Sequence, residues 1–243
     1  MTETKTKLIY DVNNDTEKIP VIIVAAGSSS RMGKDKLLME ISGIPVIART
    51  LINFQRCDCI SDIILVTRKE KILPFQSICE KYQIDKLTDI VEGGNTRQDS
   101  VLKGLELLDK NADKVLIHDG ARPLTEEWVI SGVVKALGIY SAATCGVKPK
   151  DTIKEISADK KVIKTINRDN LIAVQTPQGV RVKDYLAAIS KAEDLSRFTD
   201  DMSIMESAGF EVFITEGDYK NIKITTPEDI AAAESFIFGN EER

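Results

Sequence analysis

The sequence has little of what several classes of protein depend on. Its 243 residues include four cysteines and one histidine. The cysteines follow no paired metal-ligand spacing and are too sparse for a disulfide framework in a chain of this length, so we expect reduced, mostly buried thiols. The lone histidine, His118, follows an apolar run, which favours a structural role in the interior over that of a catalytic base.

The sequence also lacks long apolar segments and an excess of basic residues. The longest apolar run, Val21 to Ala26, falls far short of the roughly 20 residues that span a bilayer. Residues 1–18 lack the apolar segment of a signal peptide, so we expect a loose N-terminal tail and a cytoplasmic protein. The 33 Lys and Arg stand against 38 Asp and Glu, and this net charge of −5 disfavours nucleic-acid binding through a broadly basic surface. The sequence therefore predicts neither a membrane nor a nucleic-acid partner, but it leaves room for a local cationic pocket.

Short β-rich runs alternate with longer helical patterns along most of the chain. The strand runs are continuously apolar, which suits a parallel sheet covered on both faces. We therefore predict one domain over residues 19–239, with an α/β, Rossmann-like fold whose mostly parallel sheet is flanked by helices. The predicted strands are Val21–Ala26, Ile63–Thr67, Thr88–Val91, Val115–His118 and Ala142–Val147, and the predicted helices between them are Val46–Gln55, Lys71–Tyr82, Arg97–Leu108 and Glu126–Leu137.

The alternation breaks after Pro149. Residues 151–168 alternate apolar and polar side chains around a polar turn, which predicts a protruding two-stranded β-arm at about 151–169. Because an isolated hairpin is only marginally stable in water, we expect it to pack on the arm of a second subunit, which implies a homodimer. After the arm we predict a strand at Ile172–Gln175, helices at Val182–Ala192 and Asp200–Ala208, a strand at Glu211–Thr215 and a helix at Pro227–Phe238.

The loop after the first predicted strand, Ala25 to Lys36, is a candidate phosphate site. In open parallel sheets ligands bind beyond the carboxyl ends of strands, where small residues let backbone N–H groups approach an anion. The loop matches neither the dinucleotide-binding glycine pattern nor the P-loop. Arg31 and Lys36 add two cations within a short reach, which is the charge that a triphosphate requires.

Six segments in order resemble the cytidylyltransferases, and most closely the family that acts on 2-C-methyl-D-erythritol 4-phosphate. The resemblance extends from about Pro20 to Phe238. It implies transfer of CMP from CTP to a sugar-alcohol phosphate, with release of pyrophosphate, in the non-mevalonate route to isoprenoids. The segments are Ala25–Lys36, Gly93–Ser100, His118–Pro123, Gln175–Gln178, Thr199–Asp201 and Asn221–Asp229.

The same resemblance implies a role for individual residues. Arg31 and Lys36 match the residues that stabilise the transition state, and Arg168 and Lys223 match those that position the substrate phosphate, with Arg168 reaching into the neighbouring subunit's site. Asp119 matches an acid near the nucleotide and Mg²⁺ (or another divalent cation), which makes it the candidate metal ligand. Further substrate contacts are implied for Thr152, Arg122 and Thr199, and nucleotide contacts for Ala25, Ala26, Gly27, Gly94, Asn95, Ser100 and Asp119.

Other functions stay open at the level of the sequence. Ribitol 5-phosphate cytidylyltransferases share several of the segments, but they differ at Lys34–Lys36 and at Arg97–Ser100, which favours the erythritol acceptor here. A molybdenum-cofactor guanylyltransferase has a similar first loop but lacks the segments Gly93–Ser100 and His118–Pro123. A non-catalytic nucleotide-binding module would have lost the cations that this chain retains.

Overall fold

The computed structural model describes residues 17–27 and 35–239. Strands and helices alternate over most of this range, as the sequence predicts. The strands are β1 (Ile19–Ala25), β2 (Glu40–Ile41), β3 (Ile44–Pro45), β4 (Ile60–Thr67), β5 (Leu87–Glu92), β6 (Lys114–Asp119), β7 (Ala142–Val147), β8 (Lys154–Ile156), β9 (Val162–Thr165), β10 (Ala173–Arg181) and β11 (Val212–Glu216). The helices are α1 (Val46–Arg56), α2 (Ile72–Lys81), α3 (Arg97–Leu105), α4 (Glu127–Ala136), α5 (Val182–Lys191), α6 (Asp201–Ser207) and α7 (Pro227–Phe238).

Seven strands form the central sheet, in the order β11-β7-β10-β6-β1-β4-β5. All neighbouring pairs are parallel except those of β10, which runs antiparallel to both β6 and β7. The prediction of a mostly parallel α/β sheet is confirmed. Since parallel strands end at the same edge, the carboxyl ends of β1, β4 and β6 lie side by side.

Both faces of the sheet are covered by helices. Successive residues of a strand point to opposite faces, and in β1 the side chains of Val21 and Ile23 join one buried cluster while Ile22 joins the other. The first cluster takes residues from α1, α2 and α4, such as Phe54 and Phe75. The second takes residues from α3, α5 and α6, such as Tyr185. Two-sided burial accounts for the continuously apolar strands in the sequence.

Helix starts are fixed by local side-chain chemistry. Thr96 and Asp99 form a capping box at the start of α3, and Thr226 and Asp229 form one at α7, where Pro227 occupies the first turn. These caps fix the residues just before each helix. Before α3 those residues follow Gly93 and Gly94, which come directly after the carboxyl end of β5.

Strand β10 differs from the prediction of a strand at Ile172–Gln175. It continues through Pro177 to Arg181, and its pairing with β7 is irregular between Val174 and Gln178. Proline lacks the N–H that a strand ladder needs, so its presence argues against a central strand, and the irregular register accommodates it here. The small hairpin of β2 and β3 was not predicted either, because its strands are only two residues long.

The β-arm is present as a separate two-stranded sheet of β8 and β9. All seven of its strand residues are exposed. Large apolar side chains are among them: Ile156, Val162 and Ile163 are 55%, 61% and 58% exposed. The four cysteines are buried and free, as predicted.

No helix in the described part of the chain is long and apolar enough to cross a membrane. The predicted cytoplasmic location stays a prediction. The predicted tail covers residues 1–18, of which 1–16 lie outside the described residues.

Candidate active site

A cavity of about 360 Å³ lies at the carboxyl edge of the sheet, between the end of β1, the end of β6 and the start of α3. It brings together all seven residues for which the sequence predicts nucleotide contacts. Lys36, Arg97 and Lys223 add three cations to its lining. The predicted residues in the lining are Ala25, Ala26, Gly27, Gly94, Asn95, Ser100 and Asp119. We call this the first cavity.

One wall of the first cavity is a tightly packed turn of backbone. The hydroxyl of Ser100 accepts a hydrogen bond from Gly94 N at 3.2 Å and donates one to the carbonyl of Thr96 at 2.9 Å. A Cβ added at Gly93 would lie 2.7 Å from Ser100 Oγ and 2.8 Å from Ala26 Cβ, and one at Gly94 would overlap Asp99. Only glycine fits these two positions, because a side chain would clash with Ser100 and Ala26 at the first and with Asp99 at the second.

A second cavity of about 270 Å³ adjoins the first across the end of β6. It contains three of the residues predicted to position the acceptor, namely Arg122, Thr199 and Lys223. Gln175, Thr176 and Gln178 of β10 line it as well. Arg97, Asp119 and Lys223 line both cavities and therefore form the wall between them.

Asp119 is the centre of this wall, and three cations lie against its carboxylate. Lys223 Nζ is 2.9 Å from Oδ2, Arg122 Nε is 3.5 Å from Oδ2, and Arg97 Nε is 3.7 Å from Oδ1. Burial raises the pKa of Asp119, but the attraction of Lys223, Arg97 and Arg122 outweighs it and holds the pKa well below its usual range. The carboxylate is therefore ionised throughout the physiological pH range.

Arg97 connects this wall to helix α6. Its Nη2 is 2.7 Å from Oδ2 of Asp201, whose side chain is wholly buried. Oδ1 of Asp201 accepts a hydrogen bond of 2.7 Å from the hydroxyl of Tyr185 on α5. Burial lowers the pKa of Arg97, but Asp201 and Asp119 together raise it above its ordinary value, so the guanidinium stays charged.

Arg97 and Asp201 are functional candidates that reasoning from the sequence missed. Both stand in segments that carry the family resemblance, Gly93–Ser100 and Thr199–Asp201, and that was the available signal. Nothing in the sequence paired them, because 104 positions separate the two residues along the chain.

His118 is structural, as its sequence context favours. The ring is fully buried beneath the second cavity, with Nδ1 2.9 Å from Thr176 Oγ1 and Nε2 3.4 Å from Thr125 Oγ1. Burial lowers the pKa of His118 to about 3, so the imidazole is neutral near pH 7. It packs against Phe54, with ring centroids 4.7 Å apart.

Two predicted site residues do not line these cavities, and a third is not among the described residues. Thr152 and Arg168 are exposed beside the β-arm and line neither cavity, and Arg168 Nη1 donates a hydrogen bond of 2.7 Å to the carbonyl of Lys150. Arg31 lies outside the described residues, whereas Lys36 from the same predicted loop lines the first cavity.

Among the described residues, no group of three or more His, Cys, Asp and Glu side chains could hold a metal ion. Asp119 is the one acid in the described lining of the first cavity, and cations already lie against both of its oxygens. The described residues alone do not form a ready metal site. A metal role for Asp119 stays a prediction.

The fold and the two cavities define a nucleotidyltransferase. The first cavity lies at the carboxyl edge of a parallel sheet, where nucleotides bind in open α/β sheets, and the cationic wall that joins it to the second cavity suits anionic groups on both sides. Comparison with known proteins then gives the family. The sequence model of 2-C-methyl-D-erythritol 4-phosphate cytidylyltransferase matches residues 19–239, and the chain belongs to this family. It is an enzyme that transfers a cytidylyl group.

Similar proteins carry the same description. The 2-C-methyl-D-erythritol 4-phosphate cytidylyltransferase of Clostridium novyi is 44% identical over 220 residues, which is 89% of this chain and 95% of that protein. Its counterpart in Caldanaerobacter subterraneus is 43% identical over 223 residues, 90% of this chain and 98% of that one. The crystal structure of the 4-diphosphocytidyl-2C-methyl-D-erythritol synthase of Anaerococcus prevotii superimposes with a TM-score of 0.82 at 37% identity, covering 92% of this chain and 97% of that one.

Proposed function

We propose that the chain transfers CMP from CTP to 2-C-methyl-D-erythritol 4-phosphate at the wall between the two cavities. The products are 4-diphosphocytidyl-2-C-methyl-D-erythritol, a precursor in isoprenoid biosynthesis, and pyrophosphate. The observation that carries this proposal is the wall itself, because Arg97, Asp119 and Lys223 line both cavities. A nucleotide in the first cavity and a phosphate ester in the second would meet there.

The reaction is a displacement at phosphorus. An oxygen of the acceptor's phosphate attacks the α-phosphorus of CTP and forms a new P–O bond, while the bond from that phosphorus to the oxygen bridging to the β-phosphorus breaks. The electron pair of that bond leaves with pyrophosphate. Because the attacking phosphate is already ionised near neutral pH, positioning and charge stabilisation matter more than a general base. The neutral, buried His118 is consistent with a reaction that needs no base.

Cations are the main requirement of this chemistry, since two polyanions must approach each other. Lys36 lines the first cavity, and with Arg31 we assign it to the stabilisation of charge on the α-phosphate. Lys223 and Arg122 line the second cavity, where they would bind the acceptor's phosphate. Thr199 would contact the acceptor beside them.

The slot formed by Gly94, Asn95 and Ser100 with Ala25 and Ala26 is where we place the cytosine. Its lining residues are small, and the backbone of Gly93 lies so near Ala26 that an added Cβ would be 2.8 Å from Ala26 Cβ. A pyrimidine fits such a slot better than a purine by size alone. This supports CTP over GTP or ATP as the donor.

Two predicted acceptor contacts, Arg168 and Thr152, lie away from the cavities of the same chain. We propose that a partner subunit supplies them in a homodimer. The β-arm that precedes Arg168 exposes the apolar side chains of Ile156, Val162 and Ile163, which are suited to burial against a second arm. Arg168 would then donate its hydrogen bond to the carbonyl of Lys150 only in the single chain, and would leave it in the dimer.

We propose that Mg²⁺ enters with CTP, as part of the metal–nucleotide substrate. Mg²⁺ typically keeps several waters and takes its other ligands from one or two carboxylates and from substrate phosphates. Triphosphate oxygens and water would supply most of the ligands here, since the oxygens of Asp119 already face Lys223, Arg122 and Arg97. When bound, the ion offsets negative charge on the phosphates.

A panel of substrates tests the proposal. The purified chain is incubated with Mg²⁺, one nucleoside triphosphate and one acceptor, and the pyrophosphate released is measured. We expect release with CTP and 2-C-methyl-D-erythritol 4-phosphate, none without the divalent cation, and little with GTP. If ribitol 5-phosphate supports release and the erythritol phosphate does not, the acceptor is wrong; if GTP alone supports it, the placement of the base is wrong.

A further inference from the structure

A chain of contacts runs from the interior to the wall between the cavities. The hydroxyl of Tyr185 donates to Oδ1 of Asp201, Oδ2 of Asp201 is 2.7 Å from Nη2 of Arg97, and Nε of Arg97 is 3.7 Å from Oδ1 of Asp119. The backbone N–H of Asp201 donates to Oε1 of Gln178 at 3.0 Å, so the main chain of this residue is held as well as its carboxylate. The series begins at the core of α5 and ends at the centre of the wall.

The three cations around Asp119 are held very differently. The side chain of Lys223 is 42% exposed, and its Nζ carries the closest ion pair to Asp119, at 2.9 Å. The side chain of Arg97 is 22% exposed and has a second, wholly buried carboxylate as its partner. A lysine at the surface can turn toward a bound phosphate at little cost, whereas separating Arg97 from a buried Asp201 would leave an uncompensated buried charge. Arg97 is therefore the cation that keeps its contact with Asp119 when a phosphate binds.

We propose that Asp201, fixed by Tyr185, is a positioning residue that acts through Arg97 to release Lys223 for the acceptor. Arg97 competes with Lys223 for the charge of Asp119. With Arg97 held in place, Asp119 keeps a cation when Lys223 and Arg122 turn toward phosphate. Without that support, Asp119 would hold Lys223 more tightly and the acceptor would bind less well. This inference rests on the proposed function, because it concerns how Lys223 leaves Asp119 and binds the phosphate of the acceptor.

The role requires the forked shape of the guanidinium. Nε faces Asp119 while Nη2 faces Asp201, so a single side chain bridges two carboxylates. A lysine has one compact ammonium group and cannot make both contacts at once. Arg97→Lys should therefore behave like loss of the bridge, even though the positive charge is retained.

Steady-state kinetics with two matched controls test the proposal. The test variants are Asp201→Asn, Tyr185→Phe and Arg97→Lys. Asp184→Asn is the control for the first, because Asp184 lies next to Tyr185 and accepts a hydrogen bond of 2.5 Å from Ser141 but lines neither cavity. Tyr140→Phe is the control for the second, since Tyr140 stacks on Phe213 with centroids 4.4 Å apart, also outside the cavities. Thermal unfolding of each variant identifies those that are simply misfolded.

We expect Asp201→Asn and Arg97→Lys to raise the KM for the erythritol phosphate about tenfold, and Tyr185→Phe about threefold, the size of one weakened hydrogen bond to a charge. In Asp201→Asn and Tyr185→Phe the KM for CTP should change by no more than about twofold, because neither side chain lines the first cavity. The double variant Arg97→Lys/Asp201→Asn should be no worse than about the poorer single variant, since both remove the same bridge.

The proposal is overturned if the folded test variants match their controls in the KM for the acceptor, or if the KM for CTP in Asp201→Asn or Tyr185→Phe rises as much as that for the acceptor. Either result with an active wild-type enzyme leaves the proposed function standing. Failure of the wild-type enzyme to transfer CMP would instead contradict the proposed function itself.

Discussion

Lys223 Nζ lies 2.9 Å from Oδ2 of Asp119, at the point where the two cavities meet. The ion pair places a partly exposed cation beside a buried, ionised carboxylate at the carboxyl end of β6. Before substrates bind, Asp119 offsets the positive charge that gathers in this pocket. When phosphates bind, the same cation is within reach of them.

Removal of Lys223 should impair use of the acceptor. We expect Lys223→Met to lower kcat/KM for the erythritol phosphate on the order of 10²-fold, the size of the loss when one group that stabilises developing charge is deleted. Lys220→Met is the control, because Lys220 lies in the same loop but lines neither cavity. Equal activity of the two variants in a pyrophosphate-release assay would contradict the assignment of Lys223.

Filling the slot at Gly94 should weaken binding of CTP. A methyl group there would overlap Asp99 and shift the turn that carries Ser100. We expect Gly94→Ala to raise the dissociation constant of CTP at least about tenfold, as the loss of a close backbone fit implies. Isothermal titration of CTP measures this directly.

Gly132→Ala supplies the control for that substitution. Gly132 lies inside helix α4 with nothing within 4 Å of an added Cβ. Alanine there should stabilise the helix by about 0.5–1 kcal/mol and leave CTP binding unchanged. Tight CTP binding by a folded Gly94→Ala variant would mean that the cytosine does not occupy this slot.

The pKa of His118 should be visible in both spectra and stability. The pKa of His118 is about 3 in the folded chain and has its ordinary value of 6.5 in the unfolded chain. Below pH 6.5 the imidazole therefore binds a proton in the unfolded chain but stays neutral in the folded chain. The free energy of unfolding therefore falls as the pH decreases through this range. Between pH 7.5 and 5.5 the contribution of His118 should drop by about 1.4 kcal/mol.

Two measurements check this pH dependence. Because the chain has one histidine, its imidazole NMR signals are unambiguous, and they should not titrate above pH 5. Chemical denaturation of the wild type and of His118→Asn should show the stability difference between them shrinking toward acid. An imidazole that titrates near pH 6.5 in the folded protein would show that the ring is not buried as the structure places it.

A shared active site makes a prediction about mixed dimers. Arg168→Ala and Lys36→Ala should each be nearly inactive alone. In a heterodimer of the two, one site would combine an intact Lys36 with an intact Arg168 from the partner, so about half of the wild-type activity should return if the sites act independently.

The matched control is a heterodimer of Lys36→Ala with Lys223→Met. Both of these residues line the first cavity of one chain, so each site of that dimer stays damaged. Differently tagged subunits allow each heterodimer to be isolated. No recovery in the Arg168 pair would mean that Arg168 does not act across the subunit interface, and recovery in the control would mean that Lys36 and Lys223 of one chain do not serve the same site.

Local signals in the sequence were sufficient for most of the fold. The apolar run of β1 and the Thr-Thr-Pro start of α7 appear where they were predicted, to within two residues, because burial and capping act over a few positions. Strand β10 was harder, since Pro177 argues against a central strand and nothing local reveals an antiparallel direction.

The candidate site was predictable only in part, for the same reason. Ala25, Gly94 and Asp119 follow strands that end at one edge, so their meeting in one cavity was expected. The bridge from Asp119 through Arg97 to Asp201 depends on the packing of α6 against the sheet, and no sequence pattern spans that distance. The reach of Arg168 into a partner's site was implied by the family resemblance and stays a proposal.

A structure of the enzyme with the erythritol phosphate and a CTP analogue that cannot be cleaved between its α- and β-phosphates tests the central claim most directly. We predict the cytosine against Gly94 and Ser100, the acceptor's phosphate on Lys223 and Arg122, and one of its oxygens in line with the α-phosphorus. An acceptor bound outside the second cavity, or a nucleotide whose α-phosphate lies away from the wall at Asp119, would contradict the account.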